Sequence, residues 1–163
     1  MRIVTTENKK DEKFLRTPTK IFDFPKYDKK TIRELIKTMR TAMKAANGVG
    51  LSANQISLDI KVFVAQVNNK WYGIFNPTIE KPSTENLEAE EGCLSIPGTY
   101  GLVPRSSRLT LNGFDQNGKK IKIKAWGLLA RVFQHEVDHL NGKLFIDKAR
   151  SIQKIIPKKS DGK

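Results

Sequence analysis

The chain contains two histidines, and they stand four residues apart in the run His135-Glu136-Val137-Asp138-His139. At 3.6 residues per helical turn this spacing stacks both imidazoles on one face, within about 40° of each other. Leu129, Phe133, Val137 and Leu140 recur at helical steps through the same segment and form an apolar stripe beside that face. Such a helix can bury one side against a sheet and hold a divalent ion on the other. Glu136 falls between the two directions, where a carboxylate reaches a reacting water without ligating the ion. A hydrolytic centre takes three protein ligands and keeps one position open, so two imidazoles are one donor short. Cys93, the only cysteine, is the natural candidate, because a thiolate is a strong ligand and it sits in a Gly/Pro-flanked loop. A lone cysteine is as readily a small buried hydrophobe, and spacing cannot place it beside a helix so far downstream.

The elements that must position these groups are legible from periodicity. Ile32, Leu35, Ile36, Met39, Met43 and Ala46 predict an amphipathic helix over about 28–47, with Asp28 as N-cap and Gly48 as its stop. Residues 60–67 read as a strand, Asn68-Asn69 as a hairpin, and Lys70 to Phe75 as the return strand, ended by Asn76-Pro77. Residues 85–91 lead through Gly92 to a loop reaching Gly98. Residues 108–114 and 119–126 are two strands around Asn117-Gly118, a strong hairpin signal. The last helix spans about 127–141 and stops at Gly142. Residues up to Phe24-Pro25 read as an irregular lead-in, and Ile152 to Lys163 as a short, fraying helix. The expected class is α+β, with antiparallel β-sheets packed around a C-terminal metal-binding helix.

Composition bounds the setting. At 163 residues, 38% of them hydrophobic, the chain suits one domain (1–163, with a short basic tail from about 148) and is too apolar to be disordered. No apolar run approaches the length of a membrane span, and the N-terminus has no apolar stretch of signal-peptide length. One cysteine excludes an intrachain disulfide, so a reducing, cytoplasmic home and no membrane partner are expected. The net charge of +13 favours proximity to ribosomes or RNA, but it is spread along the chain and no specific nucleic-acid motif accompanies it.

Three segments carry a resemblance. Gly48-Val49-Gly50-Leu51-Ser52-Ala53-Asn54-Gln55, Glu91-Gly92-Cys93-Leu94-Ser95 and Gln134-His135-Glu136-Val137-Asp138-His139 closely resemble, in order and separation, the signature motifs of peptide deformylases. The likeness extends from Ile3 to about Asp147. It implies a metal-dependent hydrolase that removes the formyl group from the N-terminal formyl-methionine of nascent chains and releases formate. It further implies Cys93, His135 and His139 as metal ligands, Glu136 as the group that moves the proton, and Gln55 with the backbone N–H of Leu94 as donors to the formyl oxygen. Backbone groups at Val49, Gly50 and Gly92 would meet an extended peptide. The resemblance favours Fe²⁺ in the cell, while Zn²⁺, Ni²⁺ or Co²⁺ suit the same donors in purified protein. A monomer acting on formyl-methionyl peptides is expected.

Other positions are open at this stage. Leu128 and Val132 lie on the histidine side of the helix and are candidates for a methionine pocket or for ordinary core. Glu91 and Asp138 are candidates to orient an imidazole, with Arg105 as a partner for Glu91, and Gln134 has no assigned role. Ser52 replaces the usual alanine of the first motif and adds a hydroxyl near Gln55. Tyr100 stands where some members carry a substrate-contacting arginine. The tail is shorter than the C-terminal helix that some bacterial members use at the ribosome. A metallopeptidase with the same helical histidine pair, or a basic RNA-binding protein with a structural metal, are the competing readings. The first would cut internal peptide bonds, and the second would need a fourth Cys or His ligand, which the chain lacks.

Overall fold

The computed structural model of the protein describes residues 2–155. In chain order the elements are α1 (Lys9–Leu15), α2 (Lys29–Ala45), β1 (Gly50–Ser52), β2 (Val62–Val67), β3 (Lys70–Glu80), β4 (Asn86–Cys93), β5 (Ile96–Ser106), β6 (Arg108–Phe114), β7 (Lys120–Trp126), α3 (Gly127–Leu140) and β8 (Ser151–Lys154). A five-stranded antiparallel sheet has the order β1-β2-β3-β6-β7, and a three-stranded one the order β4-β5-β8. The class is the expected α+β.

At β2 the five-stranded sheet is covered on both faces, which is why Val62 to Ala65 run apolar without a break. Phe63, Ala65 and Val67 point to one face, where they meet Phe133, Val137 and Leu140 of α3. Val62 and Val64 point to the other, against Ile32, Ile36, Met39 and Met43 of α2. Each such side chain contributes about 1.5–3 kcal/mol when removed from water. The sheet thus fixes α3, and with it both histidines, from below. Asp28 caps α2 by accepting the N–H of Thr31. The helix ends at Ala45, short of the expected 47. Asn47, at φ 54°, takes the left-handed position, and the N–H of Gly48 bonds back to the carbonyl of Met43.

Four expectations are corrected. The lead-in contains α1, capped by Asn8, whose side chain accepts the N–H groups of Lys10 and Asp11. Asn76-Pro77 does not end β3. The strand passes through it with a register shift between Phe75 and Thr78, and the Asn76 amide pairs with both backbone groups of Phe22 at 2.7 and 2.9 Å. A bulge accommodates the missing proline donor. The segment after Gly92 is no long loop: it turns at Leu94-Ser95 and returns as β5. The tail begins as strand rather than helix, with β8 paired to β5 from Leu102↔Ser151 to Thr99↔Lys154; its remainder, 156–163, lies outside the described residues. A third apolar cluster (Val4, Leu15, Ile96, Val103, Leu144 and Phe145) backs the three-stranded sheet. Among the described residues no helix is long and apolar enough to cross a membrane.

Candidate metal centre

The two sheets meet at α3. The helix presents both imidazoles on one face, with ring centroids 5.0 Å apart. The end of β4 brings the sulfur to them, placing Cys93 Sγ 3.1 Å from His139 Nε2. One donor atom from each of Cys93, His135 and His139 lies within 4.8 Å of the other two. One thiolate and two imidazoles suit a divalent transition ion that keeps a position for solvent, so the residues fit the metal that the motifs imply.

Charge supports the thiolate. Burial pushes the Cys93 thiol up, but the positive charge of His139 and hydrogen bonds from both histidines outweigh it and bring the group well below its ordinary value. The ionised form is the one that ligates. Burial pulls the other way on His135, yet its hydrogen bonds to Cys93 and Glu91 raise it to about 10.

Glu91, two residues before Cys93, organises the joint. Its carboxylate accepts a bidentate pair from Arg105 at 2.9 Å each, Arg131 Nη1 at 2.7 Å and His135 Nδ1 at 3.0 Å. Burial alone would raise Glu91, but hydrogen bonds from Arg105 and His135 hold it well below the usual carboxylate range. A charged acceptor makes His135 Nδ1 the donor and leaves Nε2 for the ion. Asp138 takes a different role. It accepts Arg105 Nη1 and, at 2.7 Å, Lys148 Nζ, so of the two carboxylates only Glu91 orients an imidazole. His139 Nδ1 has no partner among the described residues. Gln134 joins α3 to the end of β5 by exchanging bonds with the backbone of Ser106 at 3.0 and 3.1 Å.

The first motif approaches from the opposite side. Gln55 Oε1 accepts the N–H of Ser52 at 2.8 Å, which turns Nε2 toward Ser95 Oγ (3.1 Å) and Cys93 Sγ (3.5 Å). Glu136 is only 3% exposed, and burial pushes its carboxyl up against the opposing pull of the two imidazoles and Ser52. A Cβ on Gly50 would stand 2.3 Å from Glu136 Oε1, so only glycine allows β1 this close. Asn54 Nδ2 bonds the carbonyl of His139 at 2.7 Å.

These groups open on a cavity of about 480 Å³. Val49, Gly50, Gly92, Leu94, Leu128, Val132 and Tyr100 line it together with Gln55, Cys93, His135 and Glu136. Of the metal-ligand, catalytic and peptide-binding residues named from the sequence, all but His139 therefore border one space, and His139 Nε2 stands 3.1 Å from Cys93 Sγ, which does. Tyr100 covers Gly92 so closely that a Cβ there would meet the ring at 2.8 Å. Sequence reasoning passed over Arg131, although it stands four residues before His135 and so shares its helix face. It gave the Ser52 hydroxyl no partner on α3, where the structure bonds it to Glu136 Oε2 at 2.7 Å.

Comparison with known proteins agrees with this geometry. The family described as Polypeptide deformylase matches residues 2–155. The peptide deformylase of Pelotomaculum thermopropionicum is 43% identical over 136 residues, covering 83% of this chain and 86% of the relative. That of Carboxydothermus hydrogenoformans is 46% identical over 121 residues, covering 74% and 79%. Among solved structures, peptide deformylase from Thermotoga maritima superposes with a TM-score of 0.84 at 34% identity, over 92% of this chain and 97% of that one. The Synechococcus elongatus enzyme in complex with actinonin gives 0.83 at 33%, over 93% and 79%. With its fold, its three motifs and its clustered thiol and imidazoles in agreement, the chain belongs to the polypeptide deformylase family, metal-dependent hydrolases that remove the N-formyl group of nascent polypeptides.

Proposed function

We propose that the cavity at the junction of α3 and β4 is where the formyl group is removed, with Cys93, His135 and His139 holding one divalent ion. A bound divalent ion supplies the Lewis acidity that makes water a nucleophile near neutral pH and polarises a carbonyl oxygen. Glu136 takes a proton as the water oxygen adds to the formyl carbon. It then returns a proton to the amine nitrogen as the C–N bond breaks, so formate and a free N-terminus leave. Gln55 Nε2 and the backbone N–H of Leu94 donate to the oxygen on which negative charge develops. Gln55 does so without a titrating charge, and losing one such donor typically costs about 10²–10³ in rate.

The peptide binds as an added strand. β1 is an edge strand of its sheet; the Val49 carbonyl is taken by the N–H of Gln66 at 2.8 Å, so Gly50 offers the outward backbone groups on one side of the cavity, with Val49 beside it, and Gly92 faces them from β4. Leu128 and Val132 give the methionine side chain an apolar wall. Tyr100 puts an aromatic ring, not a cation, beside the residues that follow. The donor set suits Fe²⁺ in the cell and Zn²⁺, Ni²⁺ or Co²⁺ after purification. We read residues 1–163 as one catalytic domain, monomeric and cytoplasmic, whose charge of +13 keeps it near the ribosome.

The observation that carries this reading is the convergence of one sulfur and two imidazoles within 4.8 Å, beside a buried glutamate. Purified protein is expected to release formate from a formyl-methionyl peptide and to leave acetylated and free peptides intact. Glu136→Ala should keep its metal and lose nearly all turnover. Unchanged formate release in that variant would overturn the assignment of Glu136.

A further inference from the structure

One polar group at the centre has no part in the scheme above: the hydroxyl of Ser52. The residue is fully buried. Its Oγ stands 2.7 Å from Glu136 Oε2 and 3.0 Å from the Glu136 backbone oxygen, across 84 residues of sequence. A hydroxyl has one proton to give. The backbone oxygen lies inside α3, where the helical ladder supplies its donor, so the carboxylate is the acceptor that needs it. A charged acceptor also makes the stronger bond. Among the described residues no other group hydrogen-bonds to the Glu136 carboxylate. Oε1, left without a protein donor, lies against Gly50 on the cavity side.

We propose that Ser52 is a positioning residue for Glu136: its hydroxyl holds Oε2 and leaves Oε1 as the oxygen that takes and returns the proton. The terminal torsion of a glutamate is otherwise broad, so an untethered carboxylate would spend much of its time turned away from the reacting atoms. The same residue steadies the other half of the site, because its backbone N–H holds Gln55 Oε1 at 2.8 Å. Any residue but proline supplies that N–H. The hydroxyl is particular to serine and threonine, so Ser52→Ala removes the tether on Glu136 and keeps the one on Gln55. The inference rests on Glu136 being the proton-moving group.

Three readings test it together. In Ser52→Ala, kcat should fall about tenfold with KM within twofold and metal content unchanged, a loss smaller than the roughly 10²–10⁴ that general acid–base catalysis itself contributes. Combined with Glu136→Ala, the same change should have no further effect on the residual rate. Infrared difference spectra of the isotope-labelled protein, taken without substrate, should show the Glu136 carboxylate band shifted in Ser52→Ala. If the alanine variant does not fold, Ser52→Cys, with its weak donor, replaces it in all three. Full kcat in Ser52→Ala, an unshifted band, or an equal loss in the Glu136→Ala background would overturn the proposal. Turnover surviving in Glu136→Ala itself would instead overturn the reading of Glu136 as the proton carrier, so the two failures are distinguishable.

Discussion

Around the five-stranded sheet, α3 meets β2, β3 and β6 through apolar side chains such as Phe63, Ile74, Leu111 and Phe133. The three-stranded sheet reaches the same helix through ions. Glu91 of β4 and Arg105 of β5, 7% and 2% exposed, close a network with Arg131, His135, Asp138 and Lys148. The helix that carries the imidazoles is therefore set by non-directional packing, and the strand that carries the sulfur, with the Glu91 carboxylate that orients His135, by directional charge pairs. The directional joint is the one that needs angular accuracy, since it must aim both Cys93 Sγ and the Glu91 carboxylate at α3. It is also the joint that responds to charge and pH.

The sharpest way to break the contrast is to remove the cation at its centre. Arg105→Leu leaves Glu91 and Asp138 buried without their shared partner, and breaking such a pair costs about 3–5 kcal/mol. Chemical denaturation should report that loss, and metal affinity should fall with it, because Cys93 is carried on the same strand. Unaltered metal affinity in a folded Arg105→Leu protein would show that the ionic joint does not place the sulfur.

Acid should give a smaller effect of the same kind. Glu91 titrates below its ordinary value of 4.5 in the folded protein. Its contribution to stability is thus complete above that pH and fades as the pH falls from 4.5 toward the lower folded value. The apolar joint carries no such dependence. As the pH is lowered from 4.5, denaturation midpoints should fall more steeply in the native protein than in Glu91→Gln. Equal slopes in the two proteins would remove Glu91 from the explanation.

The same contrast explains what could be read without coordinates. Apolar packing leaves a periodic trace, so α2 is visible in Ile32, Ile36, Met39 and Met43, and α3 in Phe133, Val137 and Leu140. Turn chemistry is equally local. Asn68 and Asn69 take φ 50° and 60°, as a tight hairpin demands. The three-stranded sheet leaves no such trace. β5 carries Pro97, Gly98, Gly101 and Pro104, which individually argue against a strand, and its pairing with β4 and β8 outweighs them. β8 is exposed along its whole length and owes its form to the edge of β5. α1 spans only seven residues, too short for periodicity, although Asn8 with Asp11 and Glu12 marked its start. At the site, helical spacing was enough to pair His135 with His139 and to set Glu136 beside them. Cys93 could be brought there only by long-range strand pairing, which spacing does not encode. The Ser52 hydroxyl pointed to a helix 84 residues away for the same reason.

The central claim is that one sulfur from the ionic joint and two nitrogens from the apolar one share a single ion. X-ray absorption at the metal edge, on protein loaded with one equivalent of Zn²⁺ or Co²⁺, tests it directly. The account predicts one sulfur and two imidazole nitrogens in the first shell, with the sulfur lost in Cys93→Ser. A shell with no sulfur, or one unchanged in that variant, would contradict it.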